Sequence, residues 1–291
     1  PPRSTLFPYT TLFRSIPDMD QLYFSASVFK GLVRTIHMPN GIFFVTGPTG
    51  SGKTTTLYAL LKQINSPEIN ILTIEDPVEY RLEGITQVQV NATTGLDFGL
   101  ALRAFLRQDP DVILVGEIRD AESGRIAAEA ALTGHLVFAT MHTNSALQSL
   151  TRLIDIGVEP FLVAPSVTAV MAQRLVRQIC PKCRESYVPL RRVVEENFIN
   201  AEGEEIRFWR GTGCAHCHHT GYFGRIAVHE LFPISESFRG LIARNAPINE
   251  INEAARQAGF KSMRYDGLKK VLRGLTTIEE VDAISYQDAT L

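Results

Sequence analysis

The chain has 291 residues, 45% of them hydrophobic, and a formal net charge of −2. That length allows one large or two ordinary domains with a sizeable core, and the near-neutral balance excludes a global basic field that would draw the chain to nucleic acid. No apolar run approaches the ~20 residues of a membrane-crossing helix, and the first residues lack the apolar h-region of a secretory signal. The expected setting is the cytoplasm.

Residues 1–15 look foreign. The chain does not begin with Met, so a fragment or a processed product is expected, and the stretch from Arg3 to Ser15 repeats Thr-Leu-Phe and Arg-Ser without helical or strand periodicity. It resembles translated adapter sequence; the alternative is an ordinary N-terminal arm. From Ile16 the pattern turns native. Leu22, Phe24, Val28, Phe29, Leu32, Val33 and Ile36 predict a helix with one apolar face, ended by the turn signal Pro39-Asn40-Gly41.

Ile42 to Thr46 is a short apolar, β-prone run, right for a buried parallel strand. It leads into Gly47-Pro48-Thr49-Gly50-Ser51-Gly52-Lys53-Thr54, which satisfies G-x-x-x-x-G-K-[ST] at every fixed position. The three glycines let backbone N–H groups turn inward around phosphate oxygens. Lys53 brings a point charge to the outer phosphates, and Thr54 offers a hydroxyl to Mg²⁺. Thr55 to Leu61 then predicts an apolar helix whose N-terminus favours anions. Strand, loop and helix occur in the order the motif requires.

The next strand, Ile69–Ile74, ends in Glu75-Asp76-Pro77-Val78-Glu79. Ligands of open α/β sheets sit beyond the carboxyl ends of strands, so these carboxylates are placed to hold Mg²⁺ or to orient a water. A helix is predicted from Asp97, as N-cap, to Gln108; Arg103 and Arg107, four apart, share one of its faces. Val112–Val115 is a third buried strand, and it ends in Gly116-Glu117 where an Asp is usual, so Glu117 takes the acidic role. A helix from Ala121 to Leu132 follows, then a fourth strand from His135 to Thr140. His142, just past that strand's end, is placed to sense a γ-phosphate; His135, at its start, is read as structural.

These four stretches resemble the Walker A motif, Asp box, atypical Walker B motif and His box of the type II secretion and type IV pilus assembly ATPases. The resemblance runs in order from about Ile16 to the C-terminus. It implies an α/β fold with a RecA-like P-loop core, ATP and Mg²⁺ as cofactors, and a hexameric ring of full-length chains. It carries over Gly47 to Thr55, Glu75 and Asp76 as nucleotide-binding, Lys53, Glu79, Glu117 and His142 as catalytic, and Thr54 with Glu117 as magnesium ligands. It leaves open which of Glu79 and Glu117 is general base. It further implies an inner-membrane platform protein and a cytoplasmic adaptor as partners, a peripheral place on the cytoplasmic face of the inner membrane, and no nucleic acid. In the family an N-terminal domain closes over the nucleotide and adds arginines; only its end fits in residues 16–40. Competing expectations are a non-hydrolysing nucleotide-binding scaffold and a DNA-translocating RecA-like ATPase.

Helices are predicted from Ala146 to Ile156 and from Phe161 to Gln178, the latter without assigned chemistry. All four cysteines then appear as two C-x₂-C pairs, Cys180/Cys183 and Cys214/Cys217. Two such pairs complete a tetrahedral zinc site. A reducing compartment argues against disulfides, and the duplicated spacing without a leftover Cys argues against a redox dithiol. The long intervening stretch implies an inserted hairpin or helix; His216, His218 and His219 could each substitute for a Cys but are read as surface residues. Within the family, tetracysteine motors resemble the assembly enzymes and not the retraction enzymes. The C-terminal stretch reads as short amphipathic helices with Thr277 as an N-cap. The expected division is 41–178 for the ATPase core, 179–235 for a zinc-binding subdomain and 236–291 for a C-terminal helical subdomain.

Overall fold

A computed structural model describes residues 16–198 and 206–285; the leader expected at 1–15 lies outside them. Seven strands form one sheet: β1 (Gly41–Thr46), β2 (Ile71–Glu75), β3 (Thr86–Gln89), β4 (Val112–Val115), β5 (Leu136–Met141), β6 (Val167–Ile179) and β9 (Tyr222–Pro233). Their order is β3-β2-β4-β5-β1-β6-β9. The first six are mutually parallel and β9 is antiparallel to β6. A separate antiparallel hairpin, β7 (Arg184–Tyr187) with β8 (Phe208–Gly211), brackets α7 (Arg191–Asn197). The insertion between the cysteine pairs thus holds both a hairpin and a helix.

Successive strand residues point to opposite faces, and both faces of this sheet are covered. Phe43 and Val45 of β1 pack with α1 (Ala26–Ile36) and α2 (Lys53–Ile64). Ile42 and Phe44 pack with α3 (Phe98–Phe105), α4 (Ala121–Leu132), α5 (Ala146–Asp155) and α6 (Pro160–Ser166). This is why the central strands read as unbroken apolar runs. Helix starts follow their capping side chains: Asp97 accepts from Leu100 N–H, Asp120 from Ser123 N–H and Ser145 from Gln148 N–H. Thr277 precedes α11 (Ile278–Ser285) as expected, and its hydroxyl pairs with Tyr222 Oη at 3.1 Å.

The helix expected over Phe161–Gln178 is corrected. Helix α6 stops at Ser166, and residues 167–179 are the longest strand. The run is apolar because β6 is buried between β1 and β9. A strand buried on both faces has no period that separates it from a buried helix, and pairing on both edges overrides propensity. The edge strand β3, four residues with two exposed, escaped notice because it buries little. Residues 222–233, placed by sequence in the zinc-binding segment, hydrogen-bond into the main sheet as β9. Helices α8 (Glu236–Ala243) and α9 (Ile248–Gln257) share the core of the α3–α6 face.

A buried polar joint ties α10 (Met263–Leu272) to β9. Asp266 accepts from the His229 N–H at 3.0 Å and from Lys270 Nζ at 2.6 Å. Glu230, beside it on β9, accepts from Ala146 N–H at 2.7 Å and Met263 N–H at 2.9 Å, so one carboxylate caps both α5 and α10. Among the described residues no helix is long and apolar enough to cross a membrane.

Candidate active site

Because β1, β2, β4 and β5 run parallel, their carboxyl ends meet at one edge of the sheet. The P-loop leaves β1 there and enters α2. Gly47 and Gly52 have φ of +148° and +89°, a region L-residues avoid. A Cβ at Gly47 would lie 2.5 Å from the Gln173 carbonyl oxygen, and one at Gly52 would lie 2.7 Å from Gln173 Nε2. Pro48, Thr49 and Gly50 form the exposed crown of the loop, Ser51 is buried beneath it, and Thr54 and Thr55 are half-buried in the first turn of α2. Ser51 Oγ is buried with no partner among the described residues. Lys53 Nζ donates to the carbonyls of Gly47 at 2.8 Å and Pro48 at 3.1 Å. Burial pushes its pKa down, Glu117 pushes it up, and Arg174 pushes it down again.

Glu117 stands at the end of β4 with its carboxylate held on both sides. Oε1 is 2.8 Å from His142 Nε2, and Oε2 accepts from Arg119 Nε at 2.6 Å. Arg119 also reaches toward Asp76 at 4.0 Å. Two expected residues, Glu117 and His142, are therefore in direct contact, and Arg119, which has no role in the motif pattern, orients one of them. Asp76 and Glu79 are exposed at the end of β2. Glu75 is placed differently: its carboxylate is buried, accepting from the Tyr58 hydroxyl, from Thr73 Oγ1 at 2.6 Å and from Gln87 Nε2 at 3.2 Å. That shell of donors makes Glu75 a brace between α2 and β2. Burial, then Glu75 itself, holds the Tyr58 hydroxyl protonated. His135 sits at the far end of β5 on the Ala130 carbonyl, as a structural residue does.

The residues fit a magnesium nucleotide. The loop N–H groups and Lys53 suit phosphate oxygens, and the Thr54 hydroxyl with the Glu117 carboxylate supplies the hard oxygen ligands that Mg²⁺ takes.

The chain matches the model of the family described as type II/IV secretion system protein over residues 10–283. It belongs to that family. It is 50% identical over 270 residues to the type IV pilus assembly ATPase PilB of Thermus thermophilus, covering 91% of this chain and 30% of the relative. It is 48% identical over 270 residues to the type II secretion system ATPase E of Vibrio cholerae, covering 93% of this chain and 53% of the relative. The secretion family member thus spans about half the length of most of the relatives it matches, and less of PilB. Among solved structures it is similar to the pilus retraction motor PilT with bound ADP, at a TM-score of 0.70 and 29% identity over 96% of this chain and 69% of that one. The DotB ATPase of Legionella pneumophila shares the fold at a TM-score of 0.66 and 24% identity, over 93% of this chain and 66% of that one.

The four cysteines converge as their spacing predicted. Their Sγ atoms all lie within 4.8 Å of one another. Cys180–Cys214, Cys183–Cys217 and Cys214–Cys217 are separated by 3.9, 3.8 and 3.8 Å, against ~3.8 Å for the edge of a tetrahedron with Zn–S bonds of ~2.3 Å. All four are free thiols. For Cys217 burial pushes the pKa up, but the N–H groups of Cys214 and Gly221 outweigh it and hold the thiol down at about 6. The set fits zinc, with His216, His218 and His219 exposed outside it.

Two further residues escaped sequence reasoning. Gln173 and Arg174 lie in the segment read as a helix, where the only available signal was two polar residues inside an apolar run. Gln173 Nε2 donates to the Ser51 carbonyl at 2.7 Å, and Thr56 Oγ1 donates to Gln173 Oε1 at 2.8 Å. Arg174 donates to the Asn144 carbonyl at 2.9 Å and to its Oδ1 at 3.2 Å.

Proposed function

We propose that this chain carries the Mg-ATP-hydrolysing core of a motor that assembles a type II secretion pseudopilus or a type IV pilus. The observation that carries the reading is the meeting, at one sheet edge, of the P-loop lysine with a glutamate pinned between a histidine and an arginine. In such a site Lys53 and the P-loop amides hold the phosphates, and Thr54 and Glu117 hold the magnesium. The metal supplies charge neutralisation at the transferring phosphoryl group. Glu117 or Glu79 orients the attacking water, and His142, bonded to Glu117, reports the γ-phosphate to that carboxylate. Zinc serves as a structural staple at the four cysteines. The relatives are named for both pilus assembly and type II secretion at nearly equal identity, so the reading spans both systems. It includes a full-length homo-hexamer on the cytoplasmic face of the inner membrane, engaged with a platform protein and an adaptor.

Phosphate release from this chain with and without Mg²⁺ tests the reading. Magnesium-dependent release that drops sharply in Lys53→Ala is expected. Mg-nucleotide binding without release would instead favour a non-hydrolysing scaffold.

A further inference from the structure

Strand β6 outruns its neighbour. The last register pair between β1 and β6 is Thr46 with Ala172; β1 then gives way to the P-loop while β6 continues to Ile179. The first two residues beyond that point are Gln173 and Arg174, both buried. Being consecutive on a strand, they point to opposite faces. Gln173 reaches the α2 side, where its amide donates to the Ser51 carbonyl and accepts from Thr56, one contact at each end of the P-loop turn into the helix. Its backbone carbonyl also occupies the space that a side chain at Gly47 would need. Arg174 reaches the α5 side and holds Asn144, two residues past His142, by both its carbonyl and its Oδ1. The loop on that side is closed by a second anchor on the paired strand, Glu230 on Ala146 N–H.

We propose that Gln173 and Arg174 are positioning residues that fasten the P-loop and the His142 loop to one strand, so that β6 sets how far the γ-phosphate sensor stands from the phosphate cradle. The inference rests on the nucleotide-site reading above. Gln173 acts on the loop that touches every phosphate, so it governs affinity for di- and triphosphate alike. Arg174 acts on the loop that reads the outermost phosphate, so it governs discrimination between them. The nearness of Arg174 to Lys53 agrees with this, since its charge is among the influences on the lysine.

The experiment measures affinity of the full chain for the fluorescent mant-ATP and mant-ADP, each with Mg²⁺. Gln173→Ala is expected to weaken both about tenfold, as the loss of two buried hydrogen bonds implies. Arg174→Ala is expected to leave mant-ADP within about twofold and to weaken mant-ATP about five- to tenfold; Arg174→Lys recovers part of the ratio, because its ammonium keeps the charge and the donors without the planar guanidinium's fixed geometry. Asn144→Ala, an exposed site that keeps its backbone carbonyl, shifts the ratio in the same direction by a smaller factor and covers the case in which Arg174→Ala does not fold. Val176→Ala, buried on the same strand, is the control and shifts neither. An unchanged ATP/ADP ratio in the Arg174 and Asn144 variants, unchanged affinities in Gln173→Ala, or the same shifts in Val176→Ala would each overturn the proposal. No Mg-nucleotide binding by the parental chain would sink the nucleotide-site reading itself and this inference with it, whereas parental binding with indifferent variants sinks the inference alone.

Discussion

The nucleotide edge and the cysteine cluster solve the same problem, convergence of four or five polar side chains, by opposite means. The nucleotide edge draws Lys53, Glu117, His142 and Arg174 from four separate elements and depends on the whole sheet for its geometry. The cysteine cluster is made by two tight turns that face one another, and on the reading proposed above a zinc ion would hold it together. What the sheet supplies by burial in one place, ligand bonds would supply in the other. Damage should therefore separate cleanly: a lesion at the cluster should cost fold and spare chemistry, and a lesion at the edge should cost chemistry and spare fold.

The largest effect expected is at the metal. Elemental analysis should return about one zinc per chain, and Cys183→Ser should lose it. Structural zinc contributes on the order of 10 kcal/mol in small domains, so limited proteolysis should cut the variant between residues 180 and 220 while Mg-nucleotide affinity stays within about threefold. A zinc-free parental protein that resists proteolysis would break the comparison. Next comes Lys53→Ala, expected to lower phosphate release by ~10²–10³-fold, the order seen when one preorganised transition-state donor is removed, with a thermal midpoint near the parental value. Glu117→Gln should bind nucleotide and turn over slowly; turnover at the parental rate would remove Glu117 from the site. Arg119→Ala is expected to cost about tenfold in turnover at near-parental affinity, because it loosens Glu117 without removing it; an equal loss of affinity would make it a binding residue.

The smallest effect lies on the strand that serves both regions. His229 of β9 is fully buried, and burial, then the charge of Lys270, hold its pKa well below the usual 6.5; Asp266 faces it at 3.9 Å. Below pH 6.5 the unfolded chain takes up a proton that the folded chain refuses. The stability is thus present above that pH and is lost as pH falls, at up to ~1.4 kcal/mol per unit. Denaturant midpoints at pH 7 and 5.5 should converge in His229→Gln. A slope equal to the parental one would place the pH dependence in other groups.

The sequence disclosed most where chemistry leaves a local mark. The P-loop, the Gly-Glu at the end of β4 and the paired cysteines are legible because each requirement falls within a few consecutive residues. Helix α3 was legible from Asp97, since a cap announces itself beside the helix it starts; the structure shows Asp120 and Ser145 capping α4 and α5 in the same way. Strand β6 was misread because what makes it a strand is its two neighbours, which lie far away in sequence. Gln173 and Arg174 went unseen with it: a buried amide that holds a loop across the sheet has no pattern in its own vicinity. Glu75 was read as a member of an acidic crevice because sequence gives composition but not which way a strand's last side chain turns.

The overhang of β6 has a mechanical meaning. From Gln173 to Ile179 it pairs with β9 and has lost β1, so a two-stranded ribbon about 23 Å long, at roughly 3.3 Å per residue, projects past the sheet and carries the cysteine cluster at its tip. Helix α11 stiffens it, with Glu280 accepting from the Arg177 N–H at 2.8 Å and from its guanidinium. On the reading proposed above, a braced beam of that kind would act as a lever whose fulcrum is the residue pair that grips the P-loop and the His142 loop, and a load at the cysteine end would reach both loops as torque.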